Sequence, residues 1–222
     1  MNRKEFLKNT AMAAGLLLLP PSILFAKQKN ENARKPIHFI GLGGAGCNAA
    51  MFIQNKMLSA KFTFITENKH HSKERLMQLG TFIPYQSHLK LHELNAKQFI
   101  EQGISATELK IFNQVFNKDE TFILLVGLGH TTGTLLCKNF IDLLNKTKQD
   151  FYVVAIFPFY FEGQKPQQIA NTFLHNYKHE SRLTIIQNES VRKKFGDLTI
   201  DEAFKKIDEM MMNKALELVK KN

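Results

Sequence analysis

Ile37-His38-Phe39-Ile40-Gly41-Leu42-Gly43-Gly44-Ala45-Gly46-Cys47-Asn48-Ala49-Ala50 is an apolar run that passes through four glycines into a segment of helical composition. A chain that turns this sharply with few side chains leaves backbone N–H groups aimed outward at the positive end of the next helix, which makes a cradle for phosphate. The spacing Gly41-x-Gly43-x-x-Gly46 also satisfies the dinucleotide fingerprint. Glu67 ends the next apolar run about 20 residues on, where an acid binding the ribose of NAD would sit. Alone, this turn predicts a nucleotide and leaves its identity open.

Outward from the turn, short apolar runs alternate with amphipathic segments, which predicts an α/β fold: a Rossmann-like, mostly parallel sheet flanked by helices. Strands are expected at Ile37–Ile40, Phe62–Thr66, Thr121–Val126, Phe151–Phe157 and Leu183–Ile186, and helices at Gly46–Met57, Ser105–Phe116, Gly133–Lys146, Gln164–Tyr177 and Thr199–Lys220. The stretch from Lys69 to Asn95 has no clear period. Its His70, His71, His88 and His92 have no cysteine or carboxylate at ligand spacing, so they read as loop histidines and no metal site is predicted.

The 222 residues suffice for one α/β domain and a tail. Of the net charge of +10, residues 1–35 supply +5, and the other +5 is spread over 187 residues. Without a basic stripe interleaved with aromatics, nucleic acid is not a predicted partner. Cys47 and Cys137 read as buried free thiols, with a single bridge between them as the alternative. Arg3, Lys4 and Lys8 precede an uncharged run from Thr10 to Ala26, the form of a signal peptide, and Pro20-Pro21 interrupt it in a way that suits a membrane-spanning helix poorly. Asn2-Arg3-Lys4-Glu5-Phe6-Leu7-Lys8 resembles the twin-arginine export signal, with Lys4 at the second arginine. Residues 1–26 are therefore expected to be a signal or an uncleaved membrane anchor and 27–35 a polar linker. The protein would then be exported or tethered in the cell envelope; the alternative is cytoplasmic residence.

A second glycine turn, Gly127-Leu128-Gly129-His130-Thr131-Thr132-Gly133-Thr134, follows the apolar run Phe122–Val126. A dinucleotide-binding domain has no use for it, whereas a triphosphate carries more charge than one helix terminus offsets. With both turns in view, the sequence resembles the nucleotide-binding domain of the FtsZ/tubulin family. Gly41, Gly43, Gly44, Gly46, Asn48 and Ala49 match the family's Gly-Val-Gly-Gly-Gly-Gly-Gly-Asn-Ala run. Gly129, Thr132, Gly133 and Thr134 match its Gly-Gly-Gly-Thr-Gly-Thr-Gly signature, in which His130, Thr131 and Leu135 stand where the family has glycines. Pro158-Phe159-Tyr160-Phe161-Glu162-Gly163 is similar to Pro-Phe-x-Phe-Glu-Gly, Gln187-Asn188-Glu189 falls at Pro-Asn-Asp, and Ala203-Phe204-Lys205-Lys206-Ile207-Asp208 looks like the start of the central helix.

The resemblance implies that residues 36–222 bind GTP or GDP, with Mg2+ as an accompanying cation. Gly43, Gly44, Ala45, Gly46, Asn48, Gly129, Thr132, Gly133 and Thr134 would hold the phosphates. Glu162 would take the ribose, and Asn188, Phe204 and Asp208 the base. In the family the central helix leads to a synergy loop that activates water on a neighbouring subunit's GTP. The sequence ends at Asn222 with that helix, so hydrolysis by this chain alone is not expected and no catalytic residue is predicted. Met210, Met211, Met212, Leu216, Leu218 and Val219 put apolar groups on more than one side of the helix, which predicts a homo-oligomer or another protein there. Two alternatives stand beside this reading: a degenerate envelope module that binds no nucleotide, and an NAD-binding oxidoreductase using Gly41, Gly43, Gly46 and Glu67.

Overall fold

The computed structural model describes residues 35–89, 95–116, 119–196 and 198–221. The expected signal or anchor segment, nearly all of the linker, and His92 lie outside the described residues. From Lys35 the chain forms one compact unit. Among its described residues no helix is long and apolar enough to cross a membrane.

In chain order the elements are β1 (Ile37–Leu42), α1 (Gly43–Gln54), β2 (Lys61–Thr66), α2 (Lys73–Leu79), β3 (Thr81–Pro84), α3 (Ala96–Ile100), α4 (Ala106–Val115), β4 (Thr121–Gly127) and α5 (Thr131–Lys146). There follow β5 (Phe151–Phe157), a single 3-10 turn (Tyr160–Glu162), α6 (Gln164–Asn176), β6 (Leu183–Gln187), α7 (Asn188–Phe195) and α8 (Ile200–Lys221). The six strands form one sheet in the order β3-β2-β1-β4-β5-β6, with every pair parallel. This is the α/β nucleotide-binding architecture expected from the sequence.

Alternation along the strands divides the core in two. Ile40, Leu42, Leu124 and Val126 face Phe112 of α4, Phe140 of α5 and Phe173 of α6. Phe39, Ile123 and Leu125 face Ala50 and Ile53 of α1 and Ile207, Met211 and Ala215 of α8. With both faces covered, the strands read as continuous apolar runs. Cys47 and Cys137 are free and buried, one in each half of the core, so the alternative of a bridge is not realised.

Four elements are missing from the expected strands and helices. β3 is a four-residue edge strand ending in Pro84, and α2, α3 and α7 span 7, 5 and 8 residues, too short for a helical period to emerge. The methionine run of α8 also differs from expectation: Met211 is fully buried, and Met210 and Met212 pack partly against the same core half. The helix is instead apolar and exposed at its start, at Ile200 and Phe204.

At the N-terminal end of the sheet, His38 is completely buried. Its Nδ1 is 2.8 Å from Glu120 Oε2 and its Nε2 is 2.8 Å from Thr63 Oγ1. Glu120 also pairs with Lys61 at 3.0 Å. Burial, aided by the Lys61 charge and opposed by Glu120, lowers the His38 pKa to about 4.

Candidate functional site

The strand order changes direction between the neighbours β1 and β4, and such a switch point opens a crevice at the carboxyl ends of the strands. Here the chain leaves β1 into α1 on one face of the sheet and leaves β4 into α5 on the other. Both helices start earlier than their sequences suggested: α1 at Gly43 instead of Gly46, and α5 at Thr131 instead of Gly133. The first-turn N–H groups, which have no partner within a helix, therefore belong to Gly43, Gly44 and Ala45 and to Thr131, Thr132 and Gly133.

The glycines make this meeting possible. Gly43 has φ +70°, and a Cβ on it would stand 3.0 Å from both Cα and N of Gly133. A Cβ on Gly46 would stand 2.1 Å from the Leu125 carbonyl oxygen, so Gly46 lets α1 lie directly on β4.

Above the two turns lies a cavity of about 710 Å³. Gly43, Gly44, Ala45 and Asn48 line it from α1, Thr132 and Gly133 from α5, Glu162 from the 3-10 turn, Asn188 from α7, and Phe204 and Asp208 from α8. Three residues expected at phosphates are not in that lining. Gly46 is packed on β4, and the Gly129 N–H donates to Thr134 Oγ1 at 2.9 Å in a fully buried bond that closes the second turn from inside. The departures from the family pattern divide similarly. Leu135 is buried in the core, while His130 and Thr131 line the cavity.

Polar groups left over by the fold converge here. Among the described residues, the buried side-chain atoms without a hydrogen-bond partner are Asn48 Oδ1, Thr132 Oγ1, Gln149 Oε1 and Asn188 Oδ1, and all but Gln149 belong to residues of the cavity wall. An unpaired buried polar atom costs about 1–3 kcal/mol, and three of the four face one space, which a polar occupant or water would satisfy. Asp208 is half-buried on the α8 face that carries Ile207 and Met211, and burial of its carboxyl raises its pKa to about 7. One turn earlier, Phe204 is 43% exposed and meets Phe159 edge-on, with centroids 5.7 Å apart.

Glu162 is already engaged. Its Oε1 accepts from the Phe159 N–H at 2.7 Å and its Oε2 accepts from His130 Nε2 at 3.0 Å. The link ties the 3-10 turn to the β4–α5 turn beside the cavity.

Sequence reasoning overlooked the β2–α2 segment as a wall. Thr66, Glu67, Lys69, His70 and His71 all line the cavity, and Glu67 pairs with Lys69 at 3.4 Å. His70 stacks on His71 with centroids 4.5 Å apart and accepts from the Ser72 N–H at Nδ1, 3.2 Å away. Its Nε2 lies over Gly44. Burial and the neighbouring His71 lower its pKa, while the Gly44 backbone and Glu67 pull the other way. The signal available was two adjacent histidines shortly after a strand end, next in the sheet to a glycine turn. Among the described residues no group of three His, Cys, Asp or Glu could hold a metal ion.

The fold is that of the FtsZ/tubulin nucleotide-binding domain. It superposes on an FtsZ dimer structure from M. jannaschii with a TM-score of 0.62 at 23% identity, over 88% of this chain and 57% of that one. It also superposes on the GTPγS-bound protofilament of CetZ2 from Haloferax volcanii, with a TM-score of 0.59 at 15% identity over 82% and 57% of the two chains. In sequence it is 26% identical over 191 residues to the cell division protein FtsZ of Neisseria gonorrhoeae, covering 82% of this chain and 47% of that protein. It is 28% identical over 184 residues to the mitochondrial division protein fszA of Dictyostelium discoideum, covering 78% and 34%. The chain thus spans half or less of the length of these relatives. No protein-family model matches it.

Proposed function

We propose that residues 36–222 bind a guanine nucleotide, GTP or GDP, and that the bound nucleotide controls association with further copies of the chain or with another protein. The observation that carries this reading is the convergence of three unpaired buried polar atoms and a half-buried acid on one cavity above two helix N-termini. First-turn N–H groups of α1 and α5 would take the phosphates, with the Thr132 hydroxyl between them. Phe204 would stack on the base. Asp208 would accept from N1–H and the 2-amino group of guanine, an edge that adenine lacks, and Asn48 and Asn188 would supply amides nearby. Mg2+ enters only as the nucleotide's counter-ion.

Association is supported by the likeness to proteins solved as a dimer and as a protofilament, and by the apolar start of α8 beside the cavity. Hydrolysis by this chain alone is not expected. Of the cavity carboxylates, Glu67 lies beside Lys69, Glu162 is held by His130, and Asp208 stands one turn from Phe204 on α8. Residues 1–26 act in this reading as an export signal or a membrane tether, which cell fractionation and sizing of the mature protein would test.

The purified chain titrated with fluorescent GTP and ATP tests the assignment. Binding of GTP at least tenfold tighter than ATP is expected. Equal affinities would remove the role of Asp208, and no binding of either at high micromolar ligand would leave the alternative of a degenerate interaction module.

A further inference from the structure

Glu162, the acid expected at the sugar of a nucleotide, already accepts one hydrogen bond on each carboxylate oxygen. Phe159 N–H occupies Glu162 Oε1 at 2.7 Å, and His130 Nε2 occupies Oε2 at 3.0 Å. Glu162 is 19% exposed on its side chain and His130 61%, so the acid is shielded and the imidazole comes to it from the solvent side. Both residues line the cavity and come from different elements, the 3-10 turn and the N-cap of α5. A carboxylate accepts only, so the imidazole donates. A ribose hydroxyl that approached Oε2 would have to share that oxygen with His130 or displace it.

We propose that His130 stands in for the sugar at Glu162, so that a nucleotide in this cavity is selected by its base and phosphates and not by its ribose hydroxyls. The inference rests on the nucleotide-binding reading above. It makes His130 a specificity-determining residue, and it assigns this site a ligand class broader than ribonucleotides: guanine nucleoside phosphates with or without hydroxyls at the 2′ and 3′ positions. The side chain is free to do this because its backbone has an independent task. The His130 carbonyl accepts from the Thr134 N–H at 3.3 Å and starts α5, which any residue at this position can do. Gly129 and Thr134 close the turn beneath it without involving the imidazole.

The test compares affinities for GTP and 2′,3′-dideoxy-GTP in the intact chain and in His130→Ala and His130→Asn. Asparagine is too short to span to Glu162 and is a preferred helix N-cap, so that variant keeps the fold if alanine does not. The intact chain is expected to bind the two nucleotides within about threefold of each other. Both variants are expected to favour GTP by about tenfold or more, the size of one regained hydrogen bond to a charged acceptor. A tenfold preference for GTP in the intact chain overturns the proposal, as does equal binding of the two ligands by a folded variant. Failure of all three proteins to bind either ligand is a different result, which overturns the nucleotide reading itself.

Discussion

Gly43 and Gly133 meet backbone to backbone, so that a methyl group on the first would lie 3.0 Å from the Cα of the second. Nothing but main chain fits between the first turns of α1 and α5, and this contact sets how far apart the two sets of first-turn amides stand.

Gly133→Ala tests how closely α5 is seated on the strand ends beside that contact. Its Cβ would sit 2.9 Å from the Leu42 carbonyl oxygen and 3.2 Å from that of Gly127, both fixed in the sheet. Relief requires α5 to move, and overpacking of this kind costs about 1–3 kcal/mol. A fall of about 3–10 °C in melting temperature is expected for a domain of this size. An unchanged transition would mean that α5 is not held tightly against the ends of β1 and β4.

Asp208→Asn sets stability against binding. The folded-state pKa of Asp208 is raised to about 7 from 3.8, so its favourable contribution is complete below pH 3.8 and lost as pH rises through 7. Above that, ionising the half-buried acid works against the fold. Asparagine removes this penalty, so the variant should be more stable than the parent at pH 8, with the advantage shrinking at pH 5. It should also bind GTP at least tenfold more weakly and favour XTP, because its amide donor suits the 2-carbonyl of xanthine. Melting curves at the two pH values and nucleotide titrations read both effects, and a pH-independent difference in stability would contradict the first.

Phe204→Ala should weaken guanine nucleotide binding by about tenfold, since stacking of a base on an aromatic ring is worth about 1–3 kcal/mol. The ring is 43% exposed, so the melting temperature should fall by no more than a few degrees. A variant with unchanged affinity would place the base elsewhere in the cavity.

His38 should make the domain sensitive to mild acid. Its folded pKa is lowered to about 4 from 6.5, so the unfolded chain takes up a proton that the folded chain refuses between those values. Stability is complete above pH 6.5 and declines as pH falls toward 4, by about 3 kcal/mol. Urea denaturation at pH 7 and pH 4.5 measures the loss, and His38→Gln should reduce it by most of that amount. Parallel pH profiles for the two proteins would rule out His38 as the cause.

The sheet was legible because its central strands are buried on both faces, which writes Phe39, Ile123 and Val154 into unbroken apolar runs, and because each glycine turn directly follows such a run. Helix starts were displaced by two or three residues because glycine and threonine propensities disfavour helix, whereas in the fold the strand ends dictate where α1 and α5 begin. Phe204 and Asp208, expected at the base, stand four residues apart on one helix, and both line the cavity. Gly129 and Thr134, expected at the phosphates, are joined to each other by a buried hydrogen bond outside the cavity lining, an arrangement that a sequence motif does not distinguish from amides aimed outward. The wall formed by Lys69, His70 and His71 left no period to read, since it is loop, and only the pairing of β2 beside β1 brings it to the cavity.

Since α1 belongs to one layer of the molecule and α5 to the other, any occupant gripping both is a rivet through the sheet's rim. Its departure would loosen the two layers at a single edge, while at the opposite end of the sheet His38 still ties β1 to β2 and to Glu120 just before β4. Amide exchange should accordingly quicken in concert at Gly44 and Thr132 when the cavity empties, and stay slow along Phe39 and Ile123.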